Sequence, residues 1–226
     1  ACGTSTTTQT GYIVINTPSA PVTTGAFDCT SPASVTLSAT GTGTLEWYTV
    51  PTGGLSVNTG PTYVTPPLSA TTTYYVENQV PGSSGNVGPA TNTVGTGTNH
   101  NSTTARYNYF DVLAPCTLVN CTVYAQNAGN RTINLWDNAG NVLQTWTLNI
   151  PNGQSVITLN APLTPGTQYR IGGTSMNLYR NSGGITYPYN LSGLVNITGS
   201  NGGSAYYYYF YNCLIVEAPC TSVRTP

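Results

Sequence analysis

The sequence predicts an all-β protein made of two β-sandwich domains, and three observations support this. The chain holds 25 glycines and 16 prolines among 226 residues, and β-branched residues interrupt every candidate helical window. Short apolar runs are separated by turn residues at intervals typical of strands. The chain's 17 tyrosines and three tryptophans supply enough apolar area for a core.

The first predicted domain begins after a strand at residues 11–16. Further strands are expected at residues 34–40, where polar and apolar side chains alternate, and at residues 44–50, 63–65 and 72–77. An early cysteine, a tryptophan about twenty residues later and a Tyr-x-Val strand near the end are features of an immunoglobulin-like sandwich. Cys29, Trp47 and the Tyr74–Val76 segment take those places.

A glycine-punctuated polar stretch at residues 95–104 separates a Thr-rich part of the chain from an Asn- and Tyr-rich part. We therefore expect a boundary there. The predicted organisation is an N-terminal strand segment (1–18), an Ig-like β-sandwich (19–96), a linker (97–104), a jelly-roll-like β-sandwich (105–218), and the start of another module or a C-terminal joint (219–226).

The second domain is expected to contain about ten strands, which fits a jelly-roll or similar two-sheet sandwich whose first and last strands meet. Turn residues at 137–141 and 162–166 join two pairs of them. The predicted strands are residues 107–113, 117–125, 130–136, 142–149, 155–160, 167–172, 177–180, 185–189, 193–198 and 205–217.

The six cysteines form no CxxC or CxxH motif and accompany one histidine, so they favour disulfides in an oxidising compartment over a metal site. On neighbouring antiparallel strands, bridged residues have nearly constant sums of residue numbers. The sums of residue numbers therefore favour one disulfide between Cys116 and Cys220 and another between Cys121 and Cys213. Cys2 is then left to pair with Cys29 or with a group outside the chain.

Low charge excludes several classes of partner. Only 5% of residues are charged, none is lysine, and the net charge is -1. Nucleic-acid binding would need a basic patch, and no apolar run is long enough to span a membrane as a helix. Weak mutual repulsion instead favours association with copies of the same chain or with adjacent modules.

The chemistry of a catalytic site is not evident in the sequence, and we expect no enzyme activity, cofactor or metal. The six acidic residues are scattered, and only Asp111 and Glu217 could face each other, across the first and last strands. We expect both to lie on a solvated strand edge, where they would discourage aggregation. His100 has no neighbouring Ser or Cys that would suggest a triad, and is expected to be a solvated linker residue.

Glycan binding is the alternative function. One stretch concentrates the residue types that stack on sugar rings and donate to hydroxyls. The competing interpretation is that its aromatic rings are packed and its arginine anchors a loop. The tyrosine run at 205–211 should also place one set of rings on the core and the other outward. The candidate contact residues are Tyr179, Arg180, Asn181, Tyr187 and Tyr189.

N-glycosylation sequons make modification a further hypothesis. A fifth sequon, at Asn120, lies within a predicted strand and should be the least accessible. The candidate sites are Asn101, Asn130, Asn190 and Asn196.

Three segments carry a family resemblance. Residues 20–94, with CTSPASVTLSATGTGTLEWY and LSATTTYYVENQ, resemble Ig-like modules of large secreted surface proteins of Bacteroidota. Residues 107–217, with AQNAGNRTINLWDNAGNVLQTWTLNIPNGQ, resemble the β-sandwich module that often follows them. Residues 1–16 are similar to the closing strands of a PKD-type domain.

The resemblance implies an extracellular adhesin, stalk or fibre exported by the type IX route, with no known catalytic residue. The Ig-like segment lacks a second internal cysteine near YYVEN, which favours Cys2 as the partner of Cys29. Assembly could use strand addition to a sandwich edge, within the chain or in a neighbour. The residues expected to add as a strand are Gly11, Tyr12, Ile13, Val14, Ile15 and Asn16.

Overall fold

The computed structural model describes residues 17–226, and these divide into two compact units. The first contains residues 17–82 and 219–226, and the second contains residues 83–218. The second unit is thus an insertion in the chain of the first, and its boundaries differ from those predicted. The expected strand at residues 11–16 and the residue Cys2 lie outside the described part of the chain.

The first unit consists of two antiparallel sheets, with strand orders β1-β2-β5 and β20-β6-β3-β4. Strands are numbered along the whole chain. They are β1 (Val22–Thr24), β2 (Thr36–Thr40), β3 (Thr44–Tyr48), β4 (Asn58–Thr59), β5 (Thr62–Val64), β6 (Tyr75–Val80) and β20 (Cys220–Thr221).

Trp47 is at the centre of the first unit's small core. It is 2% exposed, and its indole N–H donates to the carbonyl of Gly60 at 2.8 Å. The Tyr63 ring lies between the rings of Trp47 and Tyr74, with centroid distances of 5.9 and 5.1 Å. Val76 completes this core, whereas Cys29 lies exposed in the loop before β2. The prediction that Trp47 and Val76 lie in the core of an Ig-like sandwich is confirmed, whereas the corresponding prediction for Cys29 is wrong.

The last eight residues belong to the first unit and do not form a separate joint. Cys220 pairs with Val80 at the edge of the sheet, and Thr225 forms a bridge with Val76. Backbone pairing with β6 therefore holds residues 219–226 on the first unit.

The second unit is a larger antiparallel sandwich whose two sheets share one core. It contains most of the strands predicted for it, and jelly-roll connectivity stays a prediction. Its strands are β7 (Ser84–Val87), β8 (Gly97–His100), β9 (Arg106–Val112), β10 (Cys116–Ala125), β11 (Gly129–Trp136), β12 (Val142–Ile150), β13 (Gly153–Leu163), β14 (Gly166–Gly173), β15 (Leu178–Asn181), β16 (Tyr189–Leu191), β17 (Val195–Ser200), β18 (Tyr207–Tyr208) and β19 (Tyr211–Glu217).

One sheet of the second unit has the order β18-β15-β10-β19-β7, with β13 also paired to β10 and β8 to β15. The other has the order β12-β11-β14-β9-β17-β16. The predicted linker at 97–104 contains β8, which pairs with β15 along four residues. It is therefore a sheet edge of the second unit and not a connector.

The last strand of the second unit pairs with β10, and β9 lies in the other sheet. Glu217 consequently pairs with Cys116, whereas Asp111 pairs with Asn196. The two carboxylates do not face each other across a ladder. Glu217 is also not a solvated edge residue, because it is only 5% exposed and accepts hydrogen bonds from the backbone N–H and hydroxyl of Ser83.

The tyrosine run does not form the alternating stripe that was expected. Residues 207–211 are all at most 1% exposed. Tyr209 has a φ of 69°, and the Phe210 N–H donates back to the Tyr208 carbonyl. This left-handed turn interrupts the strand, so period-two alternation fails and consecutive rings enter the core.

The cysteines confirm one predicted pairing and contradict two. Cys121 and Cys213 form a disulfide across β10 and β19. Cys116 is a buried free thiol, so its predicted bond to Cys220, which lies in the first unit, is wrong. Cys220 is itself disulfide-bonded, but Cys116 is not its partner. Cys29 is an exposed free thiol, so its predicted bond to Cys2 is also wrong.

Candidate functional site

Asn181 does not contribute to a surface site. It is fully buried, its side-chain oxygen accepts from the Tyr211 hydroxyl at 2.8 Å, and its amide nitrogen donates to the Asn92 carbonyl at 3.0 Å. Since both ends of the amide are bonded within the protein, Asn181 is a structural anchor.

Tyr187 and Tyr189 pack on the buried ring of Tyr207, with centroid distances of 6.2 and 5.6 Å. The Tyr187 hydroxyl donates to the Tyr206 carbonyl at 2.6 Å. Burial raises the pKa of the Tyr187 phenol well above its usual value. These two tyrosines lie at the edge of the core, and the structure does not bring all five predicted contact residues into one site.

Arg180 lies in a different cluster, on strand β15 between β8 and β18. Its guanidinium carbon is 4.7 Å from the Tyr206 ring centroid and 5.9 Å from that of Tyr208. One guanidinium N–H donates to the Tyr208 hydroxyl at 3.4 Å. The Asn108 side chain fixes Tyr208 by exchanging two hydrogen bonds with its backbone. Cation–π contact and packing therefore hold the arginine in place.

Two further basic side chains belong to this cluster, and one of them, Arg106, lies on β9 two residues before Asn108, whose side chain bonds to Tyr208. The His100 ring lies 5.8 Å from that of Tyr208, with β8 bringing it alongside β15. Burial, followed by the positive charges of Arg180 and Arg106, lowers the pKa of His100 below its usual 6.5. We call this group the Arg180 cluster; it comprises His100, Arg106, Arg180, Tyr206 and Tyr208.

The Arg180 cluster contains polar atoms without partners. His100 Nε2, Arg106 Nε and Arg180 Nε are buried and have no hydrogen-bond partner. The ion pair found in the described part of the chain, between Arg224 and Glu77, involves neither arginine of the cluster. Of these five residues, only Arg180 is among the glycan-contact residues predicted from the sequence, because β8 is remote in sequence and lacks a clear strand pattern.

A second arginine–tyrosine group lies on the other sheet and offers a comparison. The Arg170 guanidinium carbon is 5.7 Å from the Tyr107 ring centroid and 6.0 Å from that of Tyr109. One N–H of Arg170 donates to the Asn138 carbonyl at 2.7 Å. Asp111 follows Tyr109 by two residues on the same strand and accepts from the Gln168 backbone. Arg170 Nε is likewise buried without a partner, but another N–H of this guanidinium is already bonded to a backbone carbonyl, and the histidine on β8 belongs to the other group.

The sequon asparagines occupy different environments. Asn101 follows β8 and is exposed, as are Asn130 on β11 and Asn190 on β16, whereas Asn196 on β17 is half-buried. Glycosylation at these positions stays a prediction. Within residues 17–226, no group of three or more His, Cys, Asp or Glu side chains could hold a metal ion.

A family model matches the part of the chain that forms most of the first unit. Residues 18–95 match the family of Ig-like domains described as CHU_C associated. The match covers all of β7 and continues to residue 95, although β7 pairs with β19 in the second unit. Neither the curated proteins nor the solved structures gave a match.

The fold and the family match together define an all-β protein with an Ig-like module and a second, larger β-sandwich unit. No helix within the described range is long and apolar enough to cross a membrane.

Proposed function

We propose that the protein is a non-enzymatic extracellular module with a structural or adhesive role in a bacterial surface protein. In this proposal the Ig-like unit is the scaffold, and the inserted second unit carries the contact surface. The match to the CHU_C-associated Ig-like family supports the general class. The Cys121–Cys213 disulfide supports an oxidising location.

The observation that carries the proposal is that residues 19–23 and residues 219–226 are both held within the Ig-like unit. The Thr23 hydroxyl donates to an oxygen of Pro226 at 2.9 Å, and Ser19 accepts from the side chain of Asn78. The Ser222 hydroxyl donates to the Val223 carbonyl and accepts from the Asn78 backbone. In this proposal the Ig-like unit is built from segments on both sides of residues 83–218, so the inserted unit could vary without interrupting the scaffold.

Self-association, export by the type IX route and assembly into a stalk or fibre belong to the same proposal. Low net charge supports association between copies, because little repulsion opposes it. Strand addition by residues 11–16 is one route to such assembly.

The oxidised chain can be tested for retention on immobilised polysaccharides and for self-association by sedimentation and negative-stain microscopy. Reducing-end release is measured in the same samples. We expect retention or assembly without any release of sugar. A chain that neither associates nor is retained would contradict the proposal, as would turnover of a polysaccharide.

A further inference from the structure

We propose that the Arg180 cluster binds the oxyanion groups, sulfate esters or carboxylates, of an acidic glycan. The inference rests on the proposed function, to which it adds a ligand class and a site. Arg106 and Arg180 are two of only five arginines, and His100 is the chain's one histidine. Pairing of β8 with β15 brings His100 beside Arg180, and the charges of both arginines act on the imidazole.

The charges of the cluster reinforce each other. Both arginines lower the pKa of His100, and both also act on the buried Tyr209 phenol. Within residues 17–226, neither Arg106 nor Arg180 forms an ion pair with a carboxylate. Half-buried cations without a counter-charge favour an anion, because the local dielectric is lower than that of water.

Hydrogen bonding supports the same ligand. Three buried nitrogens of the cluster lack partners, and an unsatisfied buried polar group costs about 1–3 kcal/mol. Guanidinium N–H groups form charge-assisted hydrogen bonds to oxyanions, often in pairs. A sulfate or carboxylate is therefore complementary in charge and in hydrogen-bonding capacity to the guanidiniums of Arg106 and Arg180.

The rim of the cluster favours a hydroxylated ligand. Thr98 and Asn99 on β8 are exposed, and Asn99 pairs with Tyr179 beside Arg180. Their hydroxyl and amide groups can exchange hydrogen bonds with sugar hydroxyls. Tyr206 is half-buried and adds an aromatic edge. These groups favour a glycan over a simple inorganic anion.

The test compares dextran sulfate oligosaccharides with neutral dextran oligosaccharides of the same length and with inorganic sulfate, by calorimetry. We expect the sulfated oligosaccharide to bind and the neutral one not to bind at the same concentrations. Arg106→Gln and Arg180→Gln should each weaken binding at least tenfold. Arg170→Gln is the matched control, since Arg170 also lies over tyrosine rings, and should change affinity less than twofold.

A measurement on the unsubstituted protein keeps the test independent of variant folding. The single histidine gives one set of imidazole signals in NMR spectra, and the sulfated oligosaccharide should shift them. Unmoved imidazole signals, equal binding of neutral dextran, or full affinity in both cluster variants would overturn the proposal. Equal affinity for inorganic sulfate would exclude the glycan ligand. Retention or self-association unaffected by these substitutions would leave the proposed function in place.

Discussion

The guanidinium of Arg224 lies 2.9 Å from the carboxylate of Glu77, to which it is joined across 147 positions of the chain. The same guanidinium lies over the Tyr48 ring, and the Tyr48 hydroxyl donates to the other carboxylate oxygen of Glu77 at 2.8 Å. Arg224 also donates to the carbonyls of Val50 and Gly53. These contacts of Arg224 hold residues 219–226, which follow the second unit in the chain, on the first unit.

Arg224→Ala should destabilise the first unit by about 3 kcal/mol, because it removes one partner of a largely buried ion pair together with two carbonyl hydrogen bonds. Hydrogen–deuterium exchange should become faster in β3, β6 and β20. The matched control is Arg170→Ala, which should leave exchange in those strands unchanged. Wild-type protection of β20 in Arg224→Ala would contradict this account.

Replacing both Cys121 and Cys213 with alanine should lower the stability of the second unit by about 4 kcal/mol, since the bridge closes a loop spanning 92 positions and restricts the unfolded chain. Urea unfolding followed by exchange protection in β10 and β19 measures the effect. Cys116→Ala provides a control at a neighbouring buried cysteine that has no bridge. Equal effects of the two changes would show that the disulfide contributes little.

Alkylation should distinguish the two free thiols. Cys29 is exposed, whereas Cys116 is buried, and burial followed by the charge of Glu217 raises the pKa of Cys116 to about 11. Iodoacetamide at pH about 8 should label Cys29 in the folded protein and reach Cys116 only after unfolding. Peptide mass spectrometry locates the label. Rapid native labelling of Cys116 would be inconsistent with its burial.

Tyr211→Phe should cost about 1–3 kcal/mol, because it leaves the buried side-chain oxygen of Asn181 without its donor. Tyr206→Phe is the control, since the Tyr206 ring contributes to packing and no hydrogen bond of its hydroxyl is seen. Urea midpoints of the two variants give the comparison. The interpretation of Asn181 as an anchor fails if both variants unfold at the wild-type midpoint.

Alkaline pH should destabilise the second unit. Burial raises the pKa values of Tyr207 and Tyr211 above the usual 10.0. Above about pH 10 the unfolded chain loses these protons while the folded protein keeps them, so the stability that they contribute is full below that pH and falls above it. Absorbance at a wavelength specific to tyrosinate, recorded with urea midpoints from pH about 8 to 11, measures both effects. Full ionisation of all tyrosines without unfolding would contradict the burial of these phenols.

Local patterns were sufficient for much of the strand content. Residues 130–136 and 142–149 were predicted as neighbouring strands, and they form most of β11 and β12, joined by a turn in which Asp137 accepts from the Asn141 backbone. Alternation and turn chemistry are properties of consecutive residues, so they can be recognised without knowledge of the fold. The same reasoning located Trp47 in the core.

The composition was also sufficient to predict the broad class of protein. Low charge, abundant β-branched residues and six cysteines indicated an all-β protein with disulfides. Tertiary structure decided that residues 219–226 return to the first unit, that β8 brings His100 beside Arg180, and that a left-handed turn at Tyr209 buries consecutive rings. These outcomes depend on pairing between distant segments and on backbone angles set by packing. The free energies that decide them come from contacts between residues far apart in sequence, which a local pattern does not contain.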